Sequence, residues 1–397
     1  MISRRLSRFC FATSFAASCA LVSVGVQAEP RIIPAPPQLA AEGYLLMDAD
    51  TGEILVENNS GERLPPASLT KIMTSYIVAE ELDRGTLSPD EDVNISVKAW
   101  RMEGSRMFIQ EGTKVKVGDL MSGVIIQSGN DASVALAEHI AGSEEAFADV
   151  MNQQAQRLGM LDSHFMNVTG LPSEEHYTTA NDLALLTVSL IRDHPSHYGL
   201  YSEKYFTYND IRQPNRNTLL WRDKSVDGVK TGHTEAAGYC LVASAKRDNM
   251  RLVSVVMGAS SEEARATESQ KLLTYGFRYY ETLHLYRAQE SLNEVRVWGG
   301  AKPKLQLGLA DKVAVTIPRG AKDNLAASMD IDSVINAPII VNQQLGILTV
   351  SLDGEIVFEA PLVALSAIDE AGFFQRLWDS VSLFLLQLLG GDPLKPV

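Results

Sequence analysis

Val226-Asp227-Gly228-Val229-Lys230-Thr231-Gly232-His233-Thr234 opens a series of three apolar, β-branched runs. The next two, YCLVASA and LVSVVMGA, occupy residues 239–245 and 252–259, with short polar turns between. That texture reads as an antiparallel meander. A helical run over residues 262–281 closes the unit. Far upstream, Tyr44-Leu45-Leu46-Met47, a turn at Asp50-Thr51-Gly52 and Ile54-Leu55-Val56 read as a hairpin. Between hairpin and meander the apolar period is helical. The pattern predicts an α+β domain, an antiparallel sheet flanked by helices.

Within the helical interval, Pro65-Pro66 precede a run over residues 67–82 in which Leu69, Ile72, Met73, Tyr76, Ile77 and Leu82 recur at near-helical spacing. Ser68 then falls in the first turn, with Lys71 three residues on along the same face. Residues 117–141 read as two helical segments interrupted at Gln127-Ser128-Gly129-Asn130, with Asp131 as N-cap of the second and Gly142 as its stop. Further helices are predicted over residues 144–158 and 181–191. Residues 94–110, polar and glycine-containing, are expected to form a loop over the cleft, where Ser105 and Arg106 also fit a purely structural role.

Three short motifs lie on these elements: Ser68-Leu69-Thr70-Lys71, Ser128-Gly129-Asn130 and Lys230-Thr231-Gly232. Each alone has a bland reading, respectively a solvated helix face, an ordinary turn and a charge that protects an edge strand. In this order they supply what acyl transfer through a serine requires. A hydroxyl is a poor nucleophile at neutral pH and needs a base, and a lysine buried near a second cation loses its proton readily. None of the seven histidines sits by a nucleophile elbow of the Gly-x-Ser-x-Gly kind, and no His-Glu-x-x-His occurs. Neither a histidine triad nor a metal site is predicted.

The chain has 397 residues, 45% hydrophobic and 21% charged, enough for one large domain and a smaller one. Arg4, Arg5 and Arg8, an apolar run over residues 9–26 and the small residues of Val26-Gln27-Ala28 read as a secretory leader cleaved before Glu29. The alternative is an N-terminal membrane anchor. Cys10 and Cys19 fall in the leader, so Cys240 remains without a disulfide partner and is expected to be a buried strand residue. Cleavage takes away three arginines and no acid, which moves the net charge from −14 to about −17. That balance argues against a nucleic-acid partner.

Beyond Leu283 the texture changes again. Val295-Arg296-Val297-Trp298, Leu305-Gln306-Leu307, residues 313–317 and Ile347-Leu348-Thr349-Val350 read as strands of a small all-β domain. The chain ends in an apolar stripe, Phe373, Phe374, Leu377, Trp378, Val381, Phe384, Leu385, Leu388 and Leu389, with most polar residues on the other side. Seventeen residues at about 1.5 Å each give roughly 25 Å, marginal for spanning, and Arg376 and Asp379 would be costly inside a bilayer. An amphipathic helix lying on a membrane surface fits, and so does a helix packed on the β domain.

The motifs resemble those of the penicillin-binding protein and serine β-lactamase superfamily. The wider resemblance is to low-molecular-mass D-alanyl-D-alanine carboxypeptidases of the penicillin-binding protein 5 and 6 type. It is carried by Pro66-Ala67-Ser68-Leu69-Thr70-Lys71-Ile72-Met73-Thr74, Gln127-Ser128-Gly129-Asn130-Asp131-Ala132, Asn215-Arg216-Asn217, the Val226–Thr234 strand and Lys271-Leu272-Leu273-Thr274-Tyr275-Gly276-Phe277-Arg278. It implies a leader at 1–28, a catalytic domain at 29–284, a small β-rich domain at 285–366 and an anchoring helix and tail at 367–397. It further implies that Ser68 attacks the carbonyl between two D-alanines, with Lys71 as base. Ser128 passes a proton to the departing D-alanine and Asn130 holds the substrate amide. Lys230, Thr231 and Gly232 bind the carboxylate end, with Arg216, and the N–H groups of Ser68 and His233 form the oxyanion hole. Asp182 and Arg265 are expected as supporting residues around the third motif. No cofactor is expected. The expected partners are peptidoglycan stem peptides, β-lactams and a membrane surface, in the periplasm at the outer face of the inner membrane. Glu174 and Glu175 lack an asparagine four residues on, so the Glu-x-x-x-Asn arrangement that speeds β-lactam turnover is missing, and slow deacylation is expected. A transpeptidase and a non-catalytic envelope binding protein are the competing readings.

Overall fold

The computed structural model describes residues 33–395. The leader expected at residues 1–28 lies outside them.

The meander and the hairpin join in one five-stranded antiparallel sheet. Its strands are β1 (Gly43–Asp48), β2 (Ile54–Asn58), β3 (Val226–Thr234), β4 (Gly238–Arg247) and β5 (Met250–Ala259), in the order β2-β1-β5-β4-β3. The central strands are covered on both faces, which is why they read as unbroken apolar runs rather than alternating ones. Leu45, Met47, Val253, Val255 and Met257 point into the main core. There they meet helix α1 (Lys71–Arg84) and helix α5 (Ala180–Asp193). Leu46 and Leu252 point the other way, onto α6 (Glu262–Tyr279). Helix α6 comes close because Gly276 has no side chain: a Cβ there would stand 2.6 Å from Leu252 Cδ1 and 3.0 Å from Leu46 Cδ2.

Helix α6 stops at Tyr279, two residues before its predicted end. Tyr280 is extended and begins a strand, β6 (Tyr280–Tyr286), that pairs with β9 (Val313–Pro318). The β region therefore begins ahead of the expected boundary at 284/285. Its main sheet has five antiparallel strands: β7 (Ser291–Arg296), β8 (Lys304–Gly308), β10 (Leu325–Ile331), β11 (Gln344–Leu352) and β12 (Glu355–Ala364), ordered β7-β8-β12-β11-β10. Strand β10 and much of β12 are exposed, and β12 carries apolar residues even there, Ile356 being 63% and Val357 40% exposed.

The catalytic sheet is joined to the β6–β9 pair at the hairpin turn. Asp48, wholly buried at the end of β1, accepts hydrogen bonds from Thr282 Oγ1 at 2.5 Å and Thr316 Oγ1 at 2.8 Å. Thr51 Oγ1 lies 2.6 Å from Thr316 Oγ1, and Lys312 Nζ reaches Asp50 at 3.2 Å.

Helix α7 (Phe373–Leu388) is the last helix of the described residues. Its apolar residues are turned outward, with Phe374 84% and Trp378 73% exposed. No helix among the described residues is long and apolar enough to cross a membrane.

Candidate active site

The three motifs converge on one cleft of 370 Å³. Its walls include Ser68, Ser128, Asn130, Thr231, Gly232 and His233, and at one end Arg216, Glu262 and Arg265.

The serine does not sit in the first turn of an α-helix as predicted. Pro65-Pro66 lead into Ala67, whose φ is +46°, and residues Ala67–Thr70 form a 3₁₀ turn ahead of α1. The tighter winding serves the chemistry better. At three residues per turn, positions i and i+3 eclipse, so Lys71 stands directly over Ser68 with Nζ 3.1 Å from Oγ. Ser68 is half-buried and Lys71 is buried.

Lys71 Nζ has two further partners, Asn130 Oδ1 and the Thr169 carbonyl, both at 2.7 Å. A neutral amine offers two N–H donors and one lone pair. Donation to Asn130 and Thr169 leaves that lone pair for the Ser68 hydroxyl proton. Burial, and then the positive charge of Arg216, bring Lys71 down to about 7, with Asp131 opposing. Lys230 is held below its ordinary value by burial first and then by Lys71. It donates to Ser128 Oγ at 2.9 Å and to the Thr231 carbonyl at 3.0 Å.

Ser128 reaches Lys230 because the backbone before it is wound wide. A π-helical turn, Gly123–Gln127, follows α2 (Val117–Ser122) and leaves Ser128 at φ +66°. The next helix, α3 (Asn130–Ala141), has Gly129 at its N-cap with no side-chain cap. Asp131 is therefore not the cap that the sequence suggested. Its buried carboxylate accepts the backbone N–H groups of Met107, Phe108 and Ile109 at 3.0, 2.9 and 3.3 Å, along with its neighbour Ala132 at 2.9 Å. The predicted loop is thereby pinned beside the motif. Asn130 Nδ2 donates to the Glu103 carbonyl at 2.6 Å and Asn130 N to the Ser105 carbonyl at 2.7 Å. Ser105 lines the cleft, and the Arg106 carbonyl accepts from Gln213 Nε2 at 3.1 Å. Asp131→Ala is expected to cost about 3 kcal/mol, since several buried N–H groups lose a charged acceptor. Urea unfolding measures it; a loss under 0.5 kcal/mol would refute the pinning role.

Arg216 projects into the cleft between two buried asparagines. Asn217 Nδ2 donates to the Gly228 carbonyl at 2.8 Å and Asn215 Oδ1 accepts from Asn217 N at 3.0 Å. Arg265, in the first turn of α6, donates to the Gly232 carbonyl at 3.2 Å. His233 stacks on Tyr239 at 4.0 Å between centroids. Asp182 does not join them. It stands in the first turn of α5, where it accepts from Asp162 N at 3.0 Å and Ser163 Oγ at 2.6 Å. It anchors that loop rather than the third motif.

Sequence reading passed over the segment facing Ser68. Asn167 Oδ1 accepts from Thr169 N at 3.1 Å and Gly170 N at 2.8 Å, an Asx turn that aims the Thr169 carbonyl at Lys71. Its only signal was an Asn-x-Thr-Gly string, which marks a turn and nothing more. Buried His176 lies behind it, with Nδ1 accepting from Met166 N at 3.2 Å and Nε2 2.8 Å from Thr70 Oγ1. Nε2 therefore carries the proton, and burial pushes the ring down to about 4. Glu174 and Glu175 are exposed and neither lines the cleft. Cys240 is buried in β4, its thiol pushed up to about 11 by burial.

A family model for D-alanyl-D-alanine carboxypeptidase matches residues 31–261, and one for the penicillin-binding protein 5 C-terminal domain matches residues 280–370. D-alanyl-D-alanine carboxypeptidase DacC of Escherichia coli (strain K12) is 44% identical over 362 residues, 89% of this chain and 90% of that one. Among solved structures, penicillin binding protein 5 from Haemophilus influenzae superimposes with a TM-score of 0.82 at 42% identity, covering 85% of this chain and all of that one. Penicillin-binding protein D2 from Listeria monocytogenes, in its ampicillin-bound form, gives a TM-score of 0.57 at 32% identity over 62% of this chain and 100% of that one.

Proposed function

The chain belongs to the D-alanyl-D-alanine carboxypeptidase family, and from that premise we propose how its residues divide the reaction. The substrate is a peptidoglycan stem ending in D-alanyl-D-alanine. Its terminal carboxylate lies toward Thr231, Arg216 and Arg265, next to Lys230. Ser68 Oγ attacks the carbonyl between the two D-alanines while its proton passes to Lys71 Nζ. The oxyanion that forms is met by the N–H groups of Ser68 and His233. Ser128, held by Lys230, relays the proton to the departing amine as the C–N bond breaks, and D-alanine leaves with its own carboxylate. Asn130 keeps the substrate amide in register. Water then cleaves the Ser68 ester, releasing the shortened stem.

The observation that carries this assignment is the buried amine of Lys71, 3.1 Å from the hydroxyl it must deprotonate. The attacking form needs Lys71 neutral, and its proton leaves near pH 7. The pre-steady-state rate of Ser68 acylation is therefore expected to fall about tenfold for each pH unit below 7 and to level off above 8. A rate flat from pH 5 to 8 would remove Lys71 from the role of base. A β-lactam carries the same acyl group and carboxylate, so it acylates Ser68 by the same route; Glu174 and Glu175 stand outside the cleft and Glu262 is paired with Arg265 at its far end, so the adduct persists.

We further propose that residues 1–28 are a secretory leader and that α7 attaches the mature chain to a bilayer, in the periplasm at the outer face of the inner membrane. The outward apolar residues of α7 support the second part. A mature chain ending at Asp369 is expected to lose flotation with phospholipid vesicles while releasing D-alanine from soluble peptide at an unchanged rate. Flotation equal to that of the longer chain would end the anchoring role.

A further inference from the structure

An amphipathic helix on a protein surface ordinarily lays its apolar stripe on the domain and its polar side in water. Helix α7 turns its apolar stripe outward instead. Its half-buried residues are Asp379, Ser382, Leu383 and Leu386, spaced along one face. Phe373, Leu377, Val381, Phe384 and Leu388 lie on the opposite face and are exposed.

The inward face is held by the end of β7 and the turn that follows. Asp379 accepts from Arg296 Nη2 at 3.3 Å and from Gly299 N at 3.0 Å, with both charged side chains largely covered, 16% and 13% exposed. Arg296 is itself set by Trp298, whose ring lies 4.0 Å below the guanidinium. Gln375 Nε2 donates to the Gly300 carbonyl at 3.2 Å. Both ends of the helix are tied to the same turn. On entry, Ala301 N donates to the Asp369 carbonyl and Ala371 N to the Gly299 carbonyl, each at 2.8 Å. After the helix the chain folds back: Arg296 N donates to the Leu394 carbonyl and Trp298 Nε1 to the Pro393 carbonyl, each at 3.0 Å. Leu394 packs against the core of the β domain.

From this arrangement we infer that residues 296–301 are a mount for α7, and that the chain meets a lipid bilayer with a finished apolar facet rather than with a tail that folds on arrival. The bilayer half of the inference rests on the anchoring reading above. An isolated helix of this length is marginal in water. A helix tethered at one end would spend part of its burial energy on ordering itself at the membrane. Here that ordering is complete beforehand. Asp379 and Gln375 bond to the mount, while Arg376, Ser380 and Gln387 stay exposed on the flank, with no lysine among them. Burial of Phe, Trp and Leu supplies the attachment, and the lipid required is any fluid bilayer, without a demand for anionic headgroups.

Hydrogen exchange on the full mature chain tests the inference, free and with vesicles of phosphatidylethanolamine and phosphatidylglycerol. In the free monomer, the amides of residues 377–388 are expected to exchange at least 100-fold more slowly than an unstructured peptide. Asp379→Ala and, separately, Arg296→Gln should speed their exchange at least tenfold, leave residues 226–259 unchanged, and leave D-alanine release from soluble peptide unchanged. Exchange at the unstructured rate in the free chain, or indifference to both substitutions, would overturn the mount. Protection in solution without flotation would leave the mount standing and overturn its assignment to a bilayer. Protection that grows with protein concentration, together with a dimer in sedimentation, would assign the facet to a second copy of the chain.

Discussion

Ser68→Ala is expected to lower D-alanine release from a peptide ending in D-alanyl-D-alanine by about 10⁴-fold or more, and to abolish covalent labelling by penicillin. The remaining cleft still binds substrate and offers its backbone donors, but no acyl-enzyme can form. Lys71→Arg is the sharper companion. It keeps the charge and much of the length, yet a guanidinium does not give up its proton in a protein. If Lys71 acted only as a cation, Arg would substitute within tenfold. Acting as the base, its loss is expected to cost about 10³-fold or more, and adding Ser68→Ala should cost little further, because the two work as a unit. Release and mass-spectrometric labelling of the three variants decide it. Release by Ser68→Ala above one per cent of the parent rate would move the nucleophile elsewhere.

The second large effect is expected from a single methyl group away from the reacting atoms. Gly170 has φ +84°, and a Cβ there would lie 1.7 Å from the Ala67 carbonyl oxygen and 2.9 Å from Thr70 Oγ1. Both neighbours belong to the 3₁₀ turn that presents Ser68. Gly170→Ala therefore cannot be absorbed by a side-chain rotation; either the turn or the 167–170 segment has to move. Moving the segment carries off the Thr169 carbonyl that orients Lys71, and moving the turn carries off Ser68 itself. A loss of about 3 kcal/mol in stability and at least a 100-fold fall in penicillin acylation are expected. Gly142, with φ +83° and open space around it, is the matched control. Alanine there should show only the backbone cost of about 1 kcal/mol and full acylation. Equal behaviour of the two variants would show that the contact of Gly170 with the serine turn has no catalytic weight.

The elements legible in the sequence are those whose burial is uniform. Strands β3, β4 and β5 are apolar because both sheet faces are covered, and α5 shows its period because one side meets the core. The same logic explains what was hidden. The 3₁₀ turn at Ala67–Thr70 and the π turn at Gly123–Gln127 carry ordinary helical residues; their winding is set by contacts with distant chain, such as Met107, whose Sδ would stand 2.4 Å from a Cβ at Gly123. Asp131 sits where caps sit, and local rules could only assign it a local task, while its carboxylate serves residues 24 positions back. Asp182 behaves likewise: it was expected beside the third motif and instead anchors the loop at Asp162 and Ser163, 20 and 19 positions back. The lysines and serines were found because their spacing is a local property. The carbonyl of Thr169 was missed because any residue supplies a carbonyl, and only the fold decides where it points.

Asp48 has a mechanical consequence. The covalent connection between the catalytic sheet and the β domain is the Tyr279–Tyr280 peptide at the end of α6, and the first turn of that helix carries Arg265. Tension on the distal end of the chain would otherwise run straight along α6 into the cleft. The bonds from Thr282 and Thr316 to the buried Asp48 carboxylate open a parallel load path into β1. In the order β2-β1-β5-β4-β3, two strands stand between that entry point and the strand of Lys230. A tug on the C-terminal end is thus borne by the far side of the scaffold, and the distance between Ser68 and its lysines is insulated from it.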